Sequence, residues 1–304
     1  MSKKFITLIA VLLLASLIAS PAFTAQASAA NDILIGIPDD PTNGGRAIKL
    51  LESVGLIEVD PAAGKTPELK DITKYLYNIE IVPAAANTLP ATLDDYGAAT
   101  INSTYALPAG LLPSVDGLSI EVQETEDNLY VNIIAARSAD KDNETYQAVV
   151  AAYQSDLVAQ YLLAKYSKAQ LPVFDYAPTE YSDEELLALV DGYKSDKADK
   201  TVVTVGVCGT FNDQWKAVQY ALDQAEAGIY IELVEFDAYT LPNEALNSGD
   251  IDLNAFQHKA YLAKEVEANG YEVEAIGDTL IAPLVLFSKQ FDSVDALKDA
   301  AGAK

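Results

Sequence analysis

The chain has 304 residues, half of them hydrophobic, and its 45 acidic against 20 basic residues give a formal net charge of −25. That balance excludes a surface built to neutralise nucleic-acid phosphates and argues against docking on anionic lipid. One cysteine, Cys208, allows no internal disulfide, and one histidine, His258, has no second histidine for a metal site or a catalytic triad.

In chain order, Lys3 and Lys4 precede an apolar run over 5–18, then Pro21 and the small-residue stretch AQASAA at 25–30. This is the pattern of a secretory signal peptide over 1–29, cut after Ala27 or Ala29. The run is too short for a spanning helix, which needs ~20 residues. No cysteine stands near the cut, so the usual lipid anchor of a bacterial lipoprotein is not expected. The mature chain is expected at the periplasmic or extracellular face of the membrane.

The mature chain alternates short apolar runs with helical patterns, the signature of βα units and a largely parallel sheet. ILIGI (33–37) reads as a buried strand. Ala47, Leu50, Leu51 and Val54 then share one helical face before Gly55. GAATI (97–101) and YVNIIAA (130–136) read as strands, with helices near 142–153 and 155–166. A second series opens at Thr201: VVTVGV is a strand, and Trp215, Val218, Leu222 and Ala225 mark a helix. IYIELVEF (229–236), YEVEAI (271–276) and PLVLFS (283–288) are further strands. Between the series, 175–200 reads as a linker carrying one short helix, opened by the capping box of Ser182 and Glu185. Cys208 ends an apolar run and reads as a buried, inert thiol.

Several polar and aromatic residues admit two readings. Arg46 falls in a helix's first turn after PTNGG, where free N–H groups and the macrodipole favour an anion. Its guanidinium is able to grip a carboxylate at two points, although a first-turn arginine is ordinarily solvated. Asn102 and Asn132 lie at or inside apolar strands, where an amide must be hydrogen-bonded, by a loop or by a ligand. Tyr239, Phe256, His258 and Tyr261 read either as core packing or as the wall of an apolar pocket.

Two long segments carry a resemblance. IPDDPTNGGRAIKLLESVGLI (37–57) and LVEFDAYTLPNEALNSGDIDLNAFQHKAYL (233–262) resemble hallmark stretches of the methionine-binding NlpA/MetQ family, as do ATINSTYAL (99–107) and YVNIIAAR (130–137). The order is reversed, since in the family the FQHKxYL segment precedes the DPTNxGR segment. The resemblance therefore implies a circularly permuted α/β fold of the periplasmic-binding-protein type, two lobes about a hinge. A fragment of a longer array would show the same order. Lobe II is expected over 30–118 with 293–304 returning to it, and lobe I over 119–174 and 201–292, with the 175–200 linker joining the old ends.

The resemblance further implies that Arg46 holds an amino-acid carboxylate and that Asn102 and Asn132 meet the ligand's polar end. Tyr239, Phe256, His258 and Tyr261 then enclose its side chain, where sulfur–aromatic contact suits a thioether. It implies a monomeric, non-enzymatic solute-binding protein without cofactor or metal, delivering methionine to an ABC permease. Three stretches depart from the family pattern: CGTFND (208–213) replaces a Pro-Gly-Pro-His-like turn, Gly44 replaces an acidic residue, and APLVLFS (282–288) replaces a stretch like EPMGLYS. These bear on which amino acid is bound. An exported amino-acid sensor is an alternative. An exported hydrolase is another, but the chain has no G-x-S-x-G, H-E-x-x-H or P-loop motif.

Overall fold

The computed structural model describes residues 32–122, 128–167 and 169–304, so the export segment expected over 1–29 lies outside the described residues. Strand β1 (Ile33–Pro38) leads into helix α1 (Pro41–Ser53). Asp40 fixes that start: its carboxylate accepts from the Asn43 N–H, and Pro41 occupies the first turn, where a missing donor is harmless. Gly55, at φ +70°, lets the chain reverse after the helix.

A hairpin, β2 (Ile57–Val59) and β3 (Ile72–Tyr75), is followed by β4 (Ile79–Ala84), β5 (Ala98–Asn102), the single turns α2 (Ser103–Ala106) and α3 (Pro113–Asp116), and β6 (Gly117–Ile120). After the first crossing come β7 (Ile133–Arg137), α4 (Glu144–Tyr153), α5 (Asp156–Lys165), β8 (Leu171–Pro172) and α6 (Asp183–Gly192). The second βα series is β9 (Thr201–Cys208), α7 (Gln214–Gln224), β10 (Ile229–Phe236), α8 (Pro242–Ser248), β11 (Leu253–Asn254) and α9 (Lys259–Asn269). The chain closes with β12 (Val273–Asp278), β13 (Leu280–Ile281), β14 (Leu284–Phe287) and α10 (Val294–Ala301).

Two five-stranded mixed sheets result, one in each lobe. The lobe II sheet has the order β4-β1-β5-β14-β6, and the lobe I sheet β10-β9-β11-β7-β12. Pairing is parallel among β4, β1 and β5 and among β10, β9 and β11; β14 and β7 run antiparallel to their neighbours. The central strands are buried along most of their length, which is why they read as unbroken apolar runs.

The lobe boundaries differ from the sequence reading. β14 was expected in lobe I, yet Leu284–Phe287 pairs with Asn102–Ala99 of β5 in lobe II. β6 joins the same sheet through β14, although 119 and 120 were also assigned to lobe I. The chain therefore crosses between lobes after β6 and again between β13 and β14. An all-apolar tetrapeptide fits the middle of either sheet, and only pairing decides. The strand read from Tyr130 begins at Ile133, and Asn132 makes just an isolated bridge with His258.

α10 buries Leu297 and Ala301 in the same core as Ile35 of β1. The Asn78 carbonyl accepts from the Ile33 N–H, and the Asn78 N–H donates to the Gly302 carbonyl. Residues near the two sequence ends thus meet at one side chain and its backbone.

α6 starts at the expected capping box, with Ser182 and Glu185 bonded reciprocally. It is no loose tether. Leu186 and Val190 are fully buried in the lobe I core beside Tyr161, Leu162 and Trp215. Asp191 accepts from the Tyr161 hydroxyl at 2.6 Å and from Lys165 at 2.9 Å. Farther on, Asp223 gathers Tyr193, Ser195 and Lys200. Cys208 is 3 % exposed, and burial pushes its thiol up, so it stays protonated and inert.

Candidate functional site

All seven residues singled out from the sequence line one narrow cavity of about 20 Å³ where the lobes meet: Arg46, Asn102, Asn132, Tyr239, Phe256, His258 and Tyr261. Lobe II supplies Arg46 from the first turns of α1 and Asn102 from the end of β5. Lobe I supplies the aromatics from the loop after β10, the segment after β11 and the start of α9.

The polar end is organised by a residue the sequence reading passed over. Asn43 Oδ1 accepts from Arg46 Nη1 at 3.1 Å and from Asn102 Nδ2 at 2.9 Å, and His258 Nε2 lies 3.3 Å away. Its own amide N–H groups donate to the Asp40 carboxylate. The available signal was spacing: Asn43 stands three residues before Arg46 and shares its helix face.

Arg46 is 3 % exposed and already engaged. Its Nε donates to Glu121 Oε1 at 2.9 Å and its Nη2 to Glu121 Oε2 at 2.5 Å, a two-point grip on an internal carboxylate. Nη2 also donates to the Ala282 carbonyl at 3.1 Å. Glu121 and Ala282 stand on the two interlobe crossings, so Arg46 ties both to α1. A guanidinium has five N–H donors, and these bonds leave one, on Nη1, for a ligand. The anion-favouring start of α1 is likewise served by Asp40, which accepts from the Asn43 N–H and from the Thr42 hydroxyl.

Asn102 is 7 % exposed and its Oδ1 has no partner among the described residues. It sits at the N-cap of α2 without capping it, so the acceptor is held ready for an incoming donor. His258 caps α9 instead: its Nδ1 accepts from the Tyr261 N–H at 3.1 Å, which places the ring proton on Nε2, toward Asn43. Burial first, and the Arg46 charge second, hold its pKa well below the usual histidine range, so the ring is neutral. Tyr239 lies 5.8 Å from Phe256 and 5.9 Å from Tyr261, ring centre to ring centre, and Tyr105 backs it at 4.9 Å. Burial keeps the Tyr239 and Tyr261 hydroxyls protonated.

The arrangement presents an unpaired acceptor, one remaining guanidinium N–H and an aromatic enclosure, around an arginine whose charge is balanced by Glu121. It fits a small solute with no net charge, bearing an ammonium, a carboxylate and an apolar side chain.

A family model described as NlpA lipoprotein matches residues 27–174 and 203–303, most of the chain. The chain belongs to the NlpA lipoprotein family. Among NlpA relatives, the D-methionine-binding lipoprotein MetQ of Yersinia pestis is 44 % identical over 126 residues, 41 % of this chain and 45 % of that protein. The MetQ of Escherichia coli K12 is 42 % identical over the same share of each. Each matched stretch thus spans less than half the relative's length. A solved nutrient-binding protein from Burkholderia cenocepacia, bound to methionine, is 34 % identical over 30 % of this chain and 39 % of its own, with a TM-score of 0.29. No helix among the described residues is long and apolar enough to cross a membrane.

Proposed function

We propose that this NlpA-family protein is an extracytoplasmic solute-binding protein that captures a free amino acid between its lobes, methionine foremost, and delivers it to an ABC importer. The observation that carries the reading is the joint cavity. Seven residues drawn from distant parts of the chain line one space between the lobes. Asn102 Oδ1 takes the ammonium and the remaining Arg46 N–H takes a carboxylate oxygen. The aromatic enclosure suits a flexible thioether, each sulfur–ring contact contributing ~0.3–1.5 kcal/mol. The relatives named for methionine binding support the choice of ligand. A ligand touching both lobes favours the closed form, the state a permease would recognise.

Isothermal titration calorimetry with the free amino acids in both configurations tests this. Methionine is expected to bind with a Kd of about 1 μM or tighter, equivalent to ~8 kcal/mol, and to be recovered unchanged. Silence across the whole panel would sink the reading, and conversion of the bound solute would move the protein to the hydrolases.

We also infer that the two halves stand in permuted order relative to the family. Two observations support it. The family model matches both halves, whereas each MetQ alignment reaches only 126 residues. Ile33 and Gly302 both bond to the Asn78 backbone, so a short direct join can replace the present opening. A chain rewired to run 201–304 straight into 32–200 is expected to fold and to keep the same ligand ranking. Changing a loop's length shifts closure entropy by only ~0.6 kcal/mol per doubling. Insolubility of the rewired chain, or a different ligand order, would refute the inference.

A further inference from the structure

Three buried amides stand next to the aromatic wall in lobe I. Asn243 lies in the first turn of α8, Asn254 in β11 and Gln257 in the segment between β11 and α9. Asn243 and Asn254 are fully buried and Gln257 is 3 % exposed. Asn243 Nδ2 donates to Gln257 Oε1 at 2.8 Å, and Gln257 Nε2 returns a bond to Asn243 Oδ1 at 2.6 Å. Gln257 Nε2 also donates to Asn254 Oδ1 at 3.0 Å, while Asn254 Nδ2 donates to Asn243 Oδ1 at 2.9 Å and to the Pro242 carbonyl at 3.3 Å. Each side-chain oxygen and nitrogen of the three is therefore engaged, and the ring closes on itself.

Apolar side chains of similar size would fill this space without the desolvation that amides suffer. What the amides add is direction. A hydrogen bond fixes distance and angle where apolar contact permits sliding, and a fully satisfied buried network specifies one arrangement of the segments it joins. Here those segments carry the wall. Gln257 is flanked by Phe256 and His258, and its carbonyl accepts from the Ile133 N–H of β7 at 3.0 Å. Asn254 pairs with Ala135 of β7 and with Gly206 of β9, so this side of the ring stands on the lobe I sheet. Asn243 belongs to the other side. It follows the loop that presents Tyr239, and Leu241 in that loop is 46 % exposed, so solvent covers part of the loop's outer side. The ring thus ties a solvent-facing loop to a sheet-anchored segment, and the Tyr239 and Phe256 rings that these two carry lie 5.8 Å apart.

We propose that Asn243, Asn254 and Gln257 are positioning residues that set the selectivity of the aromatic wall for the ligand's side chain, by holding the Tyr239 loop in register with the Phe256–His258 segment. The inference rests on the amino-acid-binding reading and adds to it the group that decides which side chain fits. The ring joins only the segments of the wall, whereas the ligand's ammonium and carboxylate are met by Asn102 and Arg46 of lobe II. Loosening the ring therefore widens the choice of side chain and leaves recognition of the amino-acid end in place.

Calorimetry with the full mature chain, using methionine, norleucine and leucine as probes, tests this in Asn243→Ala and Gln257→Leu. Asn243→Ala removes the amide that bonds to both others. Gln257→Leu keeps a side chain of similar volume and leaves the Asn243–Asn254 bond in place, so it carries the test if the first variant gives no single urea unfolding transition. The probe bound most tightly by the wild-type chain is expected to lose about tenfold in affinity, and the weakest less than about threefold, the scale of one net hydrogen bond or less. The spread among the three therefore narrows. A ring that only stabilises the fold would lower all three affinities by one factor or leave them alone. A parallel fall, or wild-type affinities in a folded variant, overturns the inference with the amino-acid reading intact. If the wild-type chain binds none of the three, the amino-acid reading with its apolar wall falls, and this inference falls with it.

Discussion

Arg46→Met is expected to lower the unfolding free energy by about 3–5 kcal/mol, the cost of leaving a buried partner charge uncompensated. The Arg46 side chain is 2 % exposed and that of Glu121 12 %, so the carboxylate stranded by the substitution has little access to water. Asn43 Oδ1 and the Ala282 carbonyl each lose a donor as well. The double variant Arg46→Met, Glu121→Leu removes both charges and should recover more than half of the loss, because a buried pair replaced by apolar groups is often near neutral. Urea unfolding of the ligand-free protein measures both. Full stability in Arg46→Met would mean that the pair does not hold the crossings together. Ligand affinity should fall in both variants, since each lacks the remaining Nη1 donor. A residue first picked out as a carboxylate grip therefore has a structural duty that comes before its binding one.

The second large effect concerns α6. Leu186→Ala is expected to cost about 2–5 kcal/mol, the range for a truncated, fully buried leucine, and to shift the urea midpoint without changing the slope. Excising 177–198 should do more, because it uncovers Tyr161 and Leu162 and strips Asp191 from Tyr161 and Lys165. The excised chain is expected to lose cooperative unfolding in lobe I, seen by near-ultraviolet circular dichroism. Native-like unfolding of that chain would show the segment to be only a tether, its role judged by the length it spans.

Much of the architecture was legible because it depends on local chemistry. The β10 run IYIELVEF occupies its expected residues 229–236, and α6 begins at its capping box, since alternation and caps act within a few residues. The strand β4 went unread: IEIVPA carries Pro83 one residue before its end, tolerated here because β4 is the sheet edge, where no further strand needs its N–H. Single-turn helices such as α2 are too short to leave a periodic trace.

By itself, the sequence determined the βα alternation, the acidic surface and the seven residues that meet in one cavity, because residue type and family-like spacing are properties of the string. Tertiary structure alone decided that β14 pairs in lobe II, that α6 belongs to the lobe I core, and that Arg46 already holds Glu121, 75 residues away. The physical reason is the same in each case. Strand pairing, burial and the partner of a charge are set by contacts between segments distant in the chain, and a residue's chemistry fixes what it needs without fixing who supplies it.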